Sequence, residues 1–198
     1  MAAVLLTSIV SVVHLGGAAI AGTSTVDVDA GGFDPSRIGV RLGDDVQWSN
    51  VDTTAHRARS DERGFFDSGR IDAGQVSGAI AFASAGTFRY HDTLQPSSSG
   101  VVEVPVRIRP RGDTTPTPGA LVTIRVAVEE LRGRTYDVQR KLGHGDWTTF
   151  FRRTAHDVVR MRPRHTGTFR FRARVHLAGT GAMSRWSPAV KIFVASPP

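Results

Sequence analysis

The sequence of 198 residues contains no cysteine. That single absence removes disulfides, thiolate nucleophiles, zinc fingers, iron–sulfur clusters, redox dithiols and lipoprotein anchoring at once. Lysine is almost absent as well: of 25 basic residues only Lys141 and Lys191 are not arginine. The positive charge is therefore carried by planar, permanently ionised guanidinium groups. Long apolar runs are missing too. The stretch from Val4 to Leu15 is broken by Thr7, Ser8, Ser11 and His14, and falls short of the roughly 20 residues that span a bilayer. No apolar pattern of helical period stands out, and no Gly-x-Ser-x-Gly elbow marks a hydrolase nucleophile.

What is present begins with a segment of export character. Residues 1–21 pair that short apolar run with Ala19-Ile-Ala21, which fits a small-x-small cleavage site. Its n-region has no positive charge beyond the α-amino group, which leaves open a true start upstream of Met1. The expected location is secreted, extracellular or periplasmic, with no transmembrane segment in the mature chain.

Charge divides the remainder. Residues 22–108 carry 8 arginines against 12 carboxylates, whereas residues 109–198 carry 17 basic residues against 6 acidic ones. Between the halves, Arg109-Pro-Arg-Gly-Asp-Thr-Thr-Pro-Thr-Pro-Gly119 holds three prolines and no large apolar residue, and reads as an extended linker. Its Arg111-Gly-Asp113, a tripeptide read by some animal adhesion receptors, is too short a match to carry meaning. On both sides of it the apolar residues alternate with period two. Arg37–Leu42, Val46–Trp48, Thr87–Tyr90 and Val101–Val104 do so before it, and Leu121–Val128, Tyr136–Arg140 and Phe169–Val175 after it. Glycine-bearing turns separate these short runs. The pattern predicts an all-β fold of two tandem β-sandwiches, at 22–108 and 120–198.

Several blocks of the first half form one chained pattern. They are Gly32-Phe-Asp-Pro35, Gly43-Asp-Asp-Val-Gln-Trp-Ser-Asn-Val-Asp52, Thr54-Ala-His56, Phe66-Asp-Ser-Gly69, Ala85-Gly-Thr-Phe-Arg-Tyr90 and Gly100-Val-Val-Glu-Val104. Together they resemble the plastocyanin/azurin-like cupredoxins. The resemblance implies a Greek-key sandwich and, in the family, a copper ion held by two histidines, a cysteine and often a methionine. His56 matches the first histidine. The cysteine, second histidine and methionine positions hold Asp92, Gln95 and Ser98. Without the thiolate and the second imidazole, a blue-copper centre has lost the ligands that give it affinity and tuned potential. The remnant pocket His56, Asp92, Gln95 and Ser98 is expected to hold no cofactor. Weak copper binding at His56 and Asp92 stands as the alternative. Ser98, His56 and Asp92 also invite a catalytic-triad reading, which the absent nucleophile elbow disfavours.

The second half is similar to fibronectin type III domains, through Tyr136-Asp-Val-Gln-Arg-Lys141, Gly145-Asp-Trp147, Thr168–Val175 and the closing Ser184-Arg-Trp-Ser-Pro188. Alternation puts Arg170, Arg172 and Arg174 on one face of a strand, and Arg160, Arg162 and Arg164 form a second spaced row. Two readings are open. The rows either stack internally on Trp147 or Trp186, or form an anion-binding face for an anionic envelope polymer or an acidic protein surface. No nucleic-acid recognition motif accompanies the charge. The expected function is that of an exported, non-enzymatic binding or adaptor protein. The rival expectation is a periplasmic or extracellular cupredoxin, a weak copper carrier or a protein related to electron transfer.

Overall fold

The computed structural model describes residues 21–110 and 115–197, and every regular element among them is a β-strand. In chain order these are β1 (Thr23–Asp29), β2 (Gly32–Asp34), β3 (Arg37–Gly39), β4 (Asp45–Asn50), β5 (Ala58–Ser60), β6 (Ile80–Ala81), β7 (Gly86–Asp92), β8 (Ser99–Val104) and β9 (Arg107–Arg109). There follow β10 (Val122–Arg125), β11 (Arg134–Leu142), β12 (Thr148–Thr154), β13 (Val158–Met161), β14 (Gly167–Leu177) and β15 (Val190–Val194). The export segment expected at 1–21 lies outside the described residues except for Ala21, and so does Arg111-Gly-Asp113.

The first half is a sandwich of two four-stranded sheets, ordered β2-β1-β4-β6 and β3-β8-β7-β5. Strand β1 runs parallel to β4 and β3 parallel to β8, while the other pairs are antiparallel. Alternation decides which side chains meet between the sheets. Val26, Val28, Val46 and Trp48 come from one sheet, and Phe88, Tyr90, Val102 and Val104 from the other. Trp48 is fully buried; it stacks on Phe66 at 5.2 Å between centroids and meets Tyr90 edge-on at 5.5 Å. Each such large side chain contributes about 2 kcal/mol by leaving water. Tyr90 sits over Gly100, where an added Cβ would lie 2.2 Å from the Tyr90 ring. Only glycine fits there.

The second half pairs a three-stranded sheet, β13-β10-β9, with a four-stranded one, β12-β11-β14-β15, all antiparallel. Ile124, Tyr136, Val138, Phe171, Ala173 and Val175 fill the space between them. The structure places the boundary elsewhere than the 108/109 division and the 109–119 linker expected from composition. Strand β9 crosses that division and pairs with β10, because Arg107-Ile-Arg109 continues the alternation and buries Ile108. The end of the proline-rich segment is docked as well. The Pro116 carbonyl accepts from the Ala195 amide at 2.9 Å, and the Gly119 amide donates to the Pro163 carbonyl at 2.7 Å.

The halves also meet face to face. The Ala85 amide donates to the Val126 carbonyl at 2.8 Å and the Val128 amide to that of Ala83 at 3.0 Å. Thr87 and Arg185 exchange a reciprocal backbone pair at 3.1 Å. Ser84, buried at this seam, accepts from Arg134 at 2.9 Å and lies 3.3 Å from the Tyr136 hydroxyl. Gly86 approaches so closely that an added Cβ would lie 2.6 Å from Ser184 Oγ. Apolar side chains from both halves belong to one continuous buried cluster.

Candidate functional site

The sequence places His56 after a turn built on Asn50. The Asn50 side-chain amide is buried and donates to the carbonyls of Thr54 and Ile71 at 2.7 and 3.0 Å, while its oxygen accepts from the Asp52 amide at 2.9 Å. Backbone bonds between His56 and Ile71, 3.0 and 2.8 Å long, fix the histidine from the other side. Asp92 ends β7, and strand alternation turns it inward beside Tyr90 while His91 points out to Asp61 at 2.8 Å.

These two elements bring the imidazole and the carboxylate together. His56 Nδ1 lies 2.6 Å from Asp92 Oδ2, and both side chains are wholly shielded from solvent. The other Asp92 oxygen accepts from the amides of Arg57 at 3.0 Å and Leu94 at 2.9 Å. Burial pushes the Asp92 carboxyl up. The Leu94 amide, the His56 ring and the Arg57 and Gln95 amides outweigh that, so its pKa is below the usual carboxylate range. A buried carboxylate is costly unless its lone pairs are filled, and here they are.

Asp52, which nothing in the sequence marks for this role, is a third member. Asp52 Oδ2 lies 3.2 Å from His56 Nε2, so both ring nitrogens face carboxylate oxygens. A neutral imidazole donates to one of them, and only the doubly protonated ring donates to both. The Thr53 amide, with the Thr54 hydroxyl second, holds the Asp52 carboxyl down at about 2. Gln95 and Ser98 stand close by in other roles. Gln95 donates to the Thr54 hydroxyl at 3.1 Å, and its carbonyl accepts from the Ser98 amide at 3.0 Å. The Ser98 carbonyl accepts from the Asp92 amide at 2.9 Å. The four residues of the remnant pocket are thus neighbours tied by local hydrogen bonds.

This donor set does not fit copper of the blue type. The sequence supplies no thiolate, the sulfur that such a centre requires. The one imidazole has Nδ1 committed to Asp92 and Nε2 beside Asp52, and Gln95 is bound to Thr54. Among the described residues no group of three or more His, Cys, Asp or Glu side chains is arranged to hold a metal ion. A triad is not assembled either. The carbonyl and amide of Ser98, not its hydroxyl, make the bonds to Asp92 and Gln95.

The arginines of β14 are arranged differently from those of β13 and the segment after it. Register sets Arg172 opposite Gln139 and Arg174 opposite Asp137. Arg172 donates twice to Gln139 Oε1, at 2.9 and 2.7 Å, and lies between the indoles of Trp147 and Trp186, 4.2 and 4.9 Å from their centroids. Arg174 covers Trp186 at 4.5 Å and donates twice to Asp137 Oδ2, at 3.0 and 2.8 Å. Lys141 extends the stack over Trp147 at 5.1 Å. Each such cation–π contact is worth about 0.5–2 kcal/mol. Burial lowers the Arg172 guanidinium below its ordinary value, and Arg174 beside it adds to the effect.

Asp137, which the sequence likewise does not mark, also binds His176 Nε2 at 2.9 Å and the Arg153 amide at 3.0 Å. Burial pushes its carboxyl up, and the Arg153 amide, His176 and Arg174 overcome this and bring it below the usual range. Ser184 and Ser187 Oγ accept from the amides of Val175 and Ala173, both at 3.1 Å, and so pin the segment that carries Trp186. Of the six arginines expected as an anion-binding face, Arg172 and Arg174 are therefore committed to an internal ladder. Arg170 donates to the Gly143 carbonyl at 2.7 Å and Arg162 to that of Gly119 at 2.8 Å. Arg160 and Arg164 line surface clefts.

Comparison with known proteins adds the following. No family model matches the sequence, and no curated protein matches it. Among solved structures, a purple cupredoxin from Nitrosopumilus maritimus is similar at 21% identity and a TM-score of 0.38, covering 41% of this chain and 98% of its own. A mutant amicyanin in its copper(I) form is similar at 26% identity and a TM-score of 0.38, covering 45% and 86%. A mutant fern plastocyanin is similar at 22% identity and a TM-score of 0.36, covering 41% and 99%.

Proposed function

We propose that the chain is an exported, non-enzymatic binding or adaptor protein, in which a copper-free cupredoxin-like domain supports a basic fibronectin type III-like domain. The observation that carries this reading is the His56–Asp92 pair. The carboxylate standing at the family's thiolate position is buried and spends its oxygens on an imidazole and two amides. A group so engaged is a structural strut, and copper at His56 and Asp92 would have to break it. The three-plus-four antiparallel arrangement of the second half supports the fibronectin type III-like reading. The seam through Ser84, Gly86 and Ser184 supports a second one: the first half braces the second rather than acting alone. The charge excess of the second half points to an anionic partner outside the cytoplasm.

Rebuilding the lost ligands tests the reading. Asp92→Cys with Gln95→His gives the pocket two histidines and a cysteine on the inferred frame. We expect that double variant to take up copper(II) with an intense sulfur-to-copper charge-transfer band. A double variant that folds and remains colourless would show that the frame is not a cupredoxin's.

A further inference from the structure

A cleft of about 660 Å³ lies where the Arg41–Asp44 turn of the first half faces the exposed side of the β9–β10–β13 sheet. Strand register explains its chemistry. Thr123 stands opposite Arg109 on one side and Arg160 on the other, and Arg125 stands opposite Arg107. Directly paired residues put their side chains on one face, with Cβ atoms about 5 Å apart. Four guanidinium groups thus share one side of a three-stranded sheet, while Ile108, Val122, Ile124, Val159 and Met161 fill the other. Arg41 adds a fifth from the facing wall.

Like charges set opposite each other destabilise a sheet, and the described residues answer these unevenly. Asp157 holds Arg125 Nη1 at 2.5 Å. Among the described residues the one carboxylate lining the cleft is Asp44, which accepts from the amides of Gly22 and Arg41 at 3.1 and 3.0 Å. Arg107 donates to the Leu42 carbonyl at 3.1 Å. Arg41, Arg109 and Arg160 have no carboxylate partner among the described residues.

We propose that this cleft binds a small ligand carrying two or more phosphate or sulfate groups. The guanidinium fork matches tetrahedral oxyanions in paired hydrogen bonds, and two walls that present the forks of Arg41, Arg109 and Arg160 suit a ligand with several such groups. Size decides between a small ligand and a protein surface. The cleft falls within the range of about 300–1,000 Å³ usual for small-molecule sites, whereas docking of a protein buries about 800 Å² per partner. The inference rests on the reading of the chain as a binding protein, and gives that reading a place and a ligand chemistry.

The test is calorimetric titration of the whole chain with sodium tripolyphosphate and, separately, with a trisulfated heparin disaccharide. We expect one saturable site for at least one probe, and the tighter of the two identifies the phosphate or the sulfate source. Affinity should fall more than ~10-fold in Arg109→Ala/Arg160→Ala and several-fold in Arg41→Ala, which removes a fork from the other wall. Arg162→Ala/Arg164→Ala takes the same charge from a different cleft and should leave affinity within about twofold. Saturable heat from neither probe, full affinity in Arg109→Ala/Arg160→Ala, or equal displacement by a hexaglutamate peptide would overturn the proposal. Copper titration does not sense this cleft, so either result leaves the copper-free reading to be judged separately.

Discussion

His56 Nδ1 and Asp92 Oδ2 lie 2.6 Å apart, and neither side chain touches solvent. Removing the carboxylate takes the anionic acceptor from the His56 ring and the Arg57 and Leu94 amides, at a cost of about 3 kcal/mol. Asp92→Asn should therefore lower stability by that order in urea unfolding at neutral pH. The Asp92 pKa is depressed in the folded state. Its contribution is thus fully present above the ordinary carboxylate value of about 4 and is lost as pH falls through the folded value. The gap between the protein and the variant should be widest above about pH 5 and narrow below about pH 4. A gap that widens as pH falls from about 5 to below about 4 would contradict the pairing.

Tyr90 and Gly100 make contrasting predictions from one contact. The Tyr90 hydroxyl and the Trp48 indole N–H are buried without a hydrogen-bond partner among the described residues. Burial pushes the phenol up to about 12, with the nearby Trp48 offsetting part of it. Tyr90→Phe deletes an unsatisfied group and should cost less than about 1 kcal/mol or stabilise. Gly100→Ala drives a methyl into the Tyr90 ring and should destabilise by about 3 kcal/mol. Thermal unfolding of the two variants checks both. A costly Tyr90→Phe would mean that the hydroxyl is bonded after all.

In the ladder, geometry makes arginine irreplaceable by lysine. Arg172 needs a planar group both to fit between two indoles and to donate twice to Gln139. Arg172→Lys should cost about 1–2 kcal/mol. Arg170→Lys keeps a single donor for the Gly143 carbonyl and should cost a few tenths. Equal effects in chemical denaturation would argue against a stacked role.

Much of this fold was legible in the alternation. Val46–Trp48, Thr87–Tyr90, Tyr136–Arg140 and Phe169–Val175 all lie in strands. The His56–Asp92 contact was legible too, because the resemblance to cupredoxins implies that those positions lie together. Asp52 was not: a carboxylate two residues past an asparagine reads as turn chemistry, and its second oxygen finds His56 only once the turn closes. Asp137 alternates outward on β11 and signals nothing until β14 sets Arg174 and His176 against it. Ser84-Ala-Gly86 reads as an ordinary turn, yet it is the seam between the halves. The basic cleft draws arginines from β9, β10, β13 and a distant turn, so strand register alone assembles it.

That seam predicts cooperative unfolding. Opposite charge and a proline-rich junction suggest two independent units, yet backbone hydrogen bonds and a continuous apolar cluster join the halves. Calorimetry should give one transition, with Arg134→Ala and Gly86→Val lowering it as a whole. Two separated transitions, or two stable fragments after a cut near residue 112, would restore the independent-unit picture.

Whether His56 and Asp92 pair with each other rather than hold copper is tested by copper(II) titration of the purified whole chain under electron paramagnetic resonance. That pairing predicts no intense red-visible band, since the charge transfer needs a cysteine thiolate that the sequence lacks. It predicts no stoichiometric copper signal that disappears in His56→Ala. One tightly bound copper per chain, with nitrogen hyperfine lines lost in His56→Ala, would contradict it.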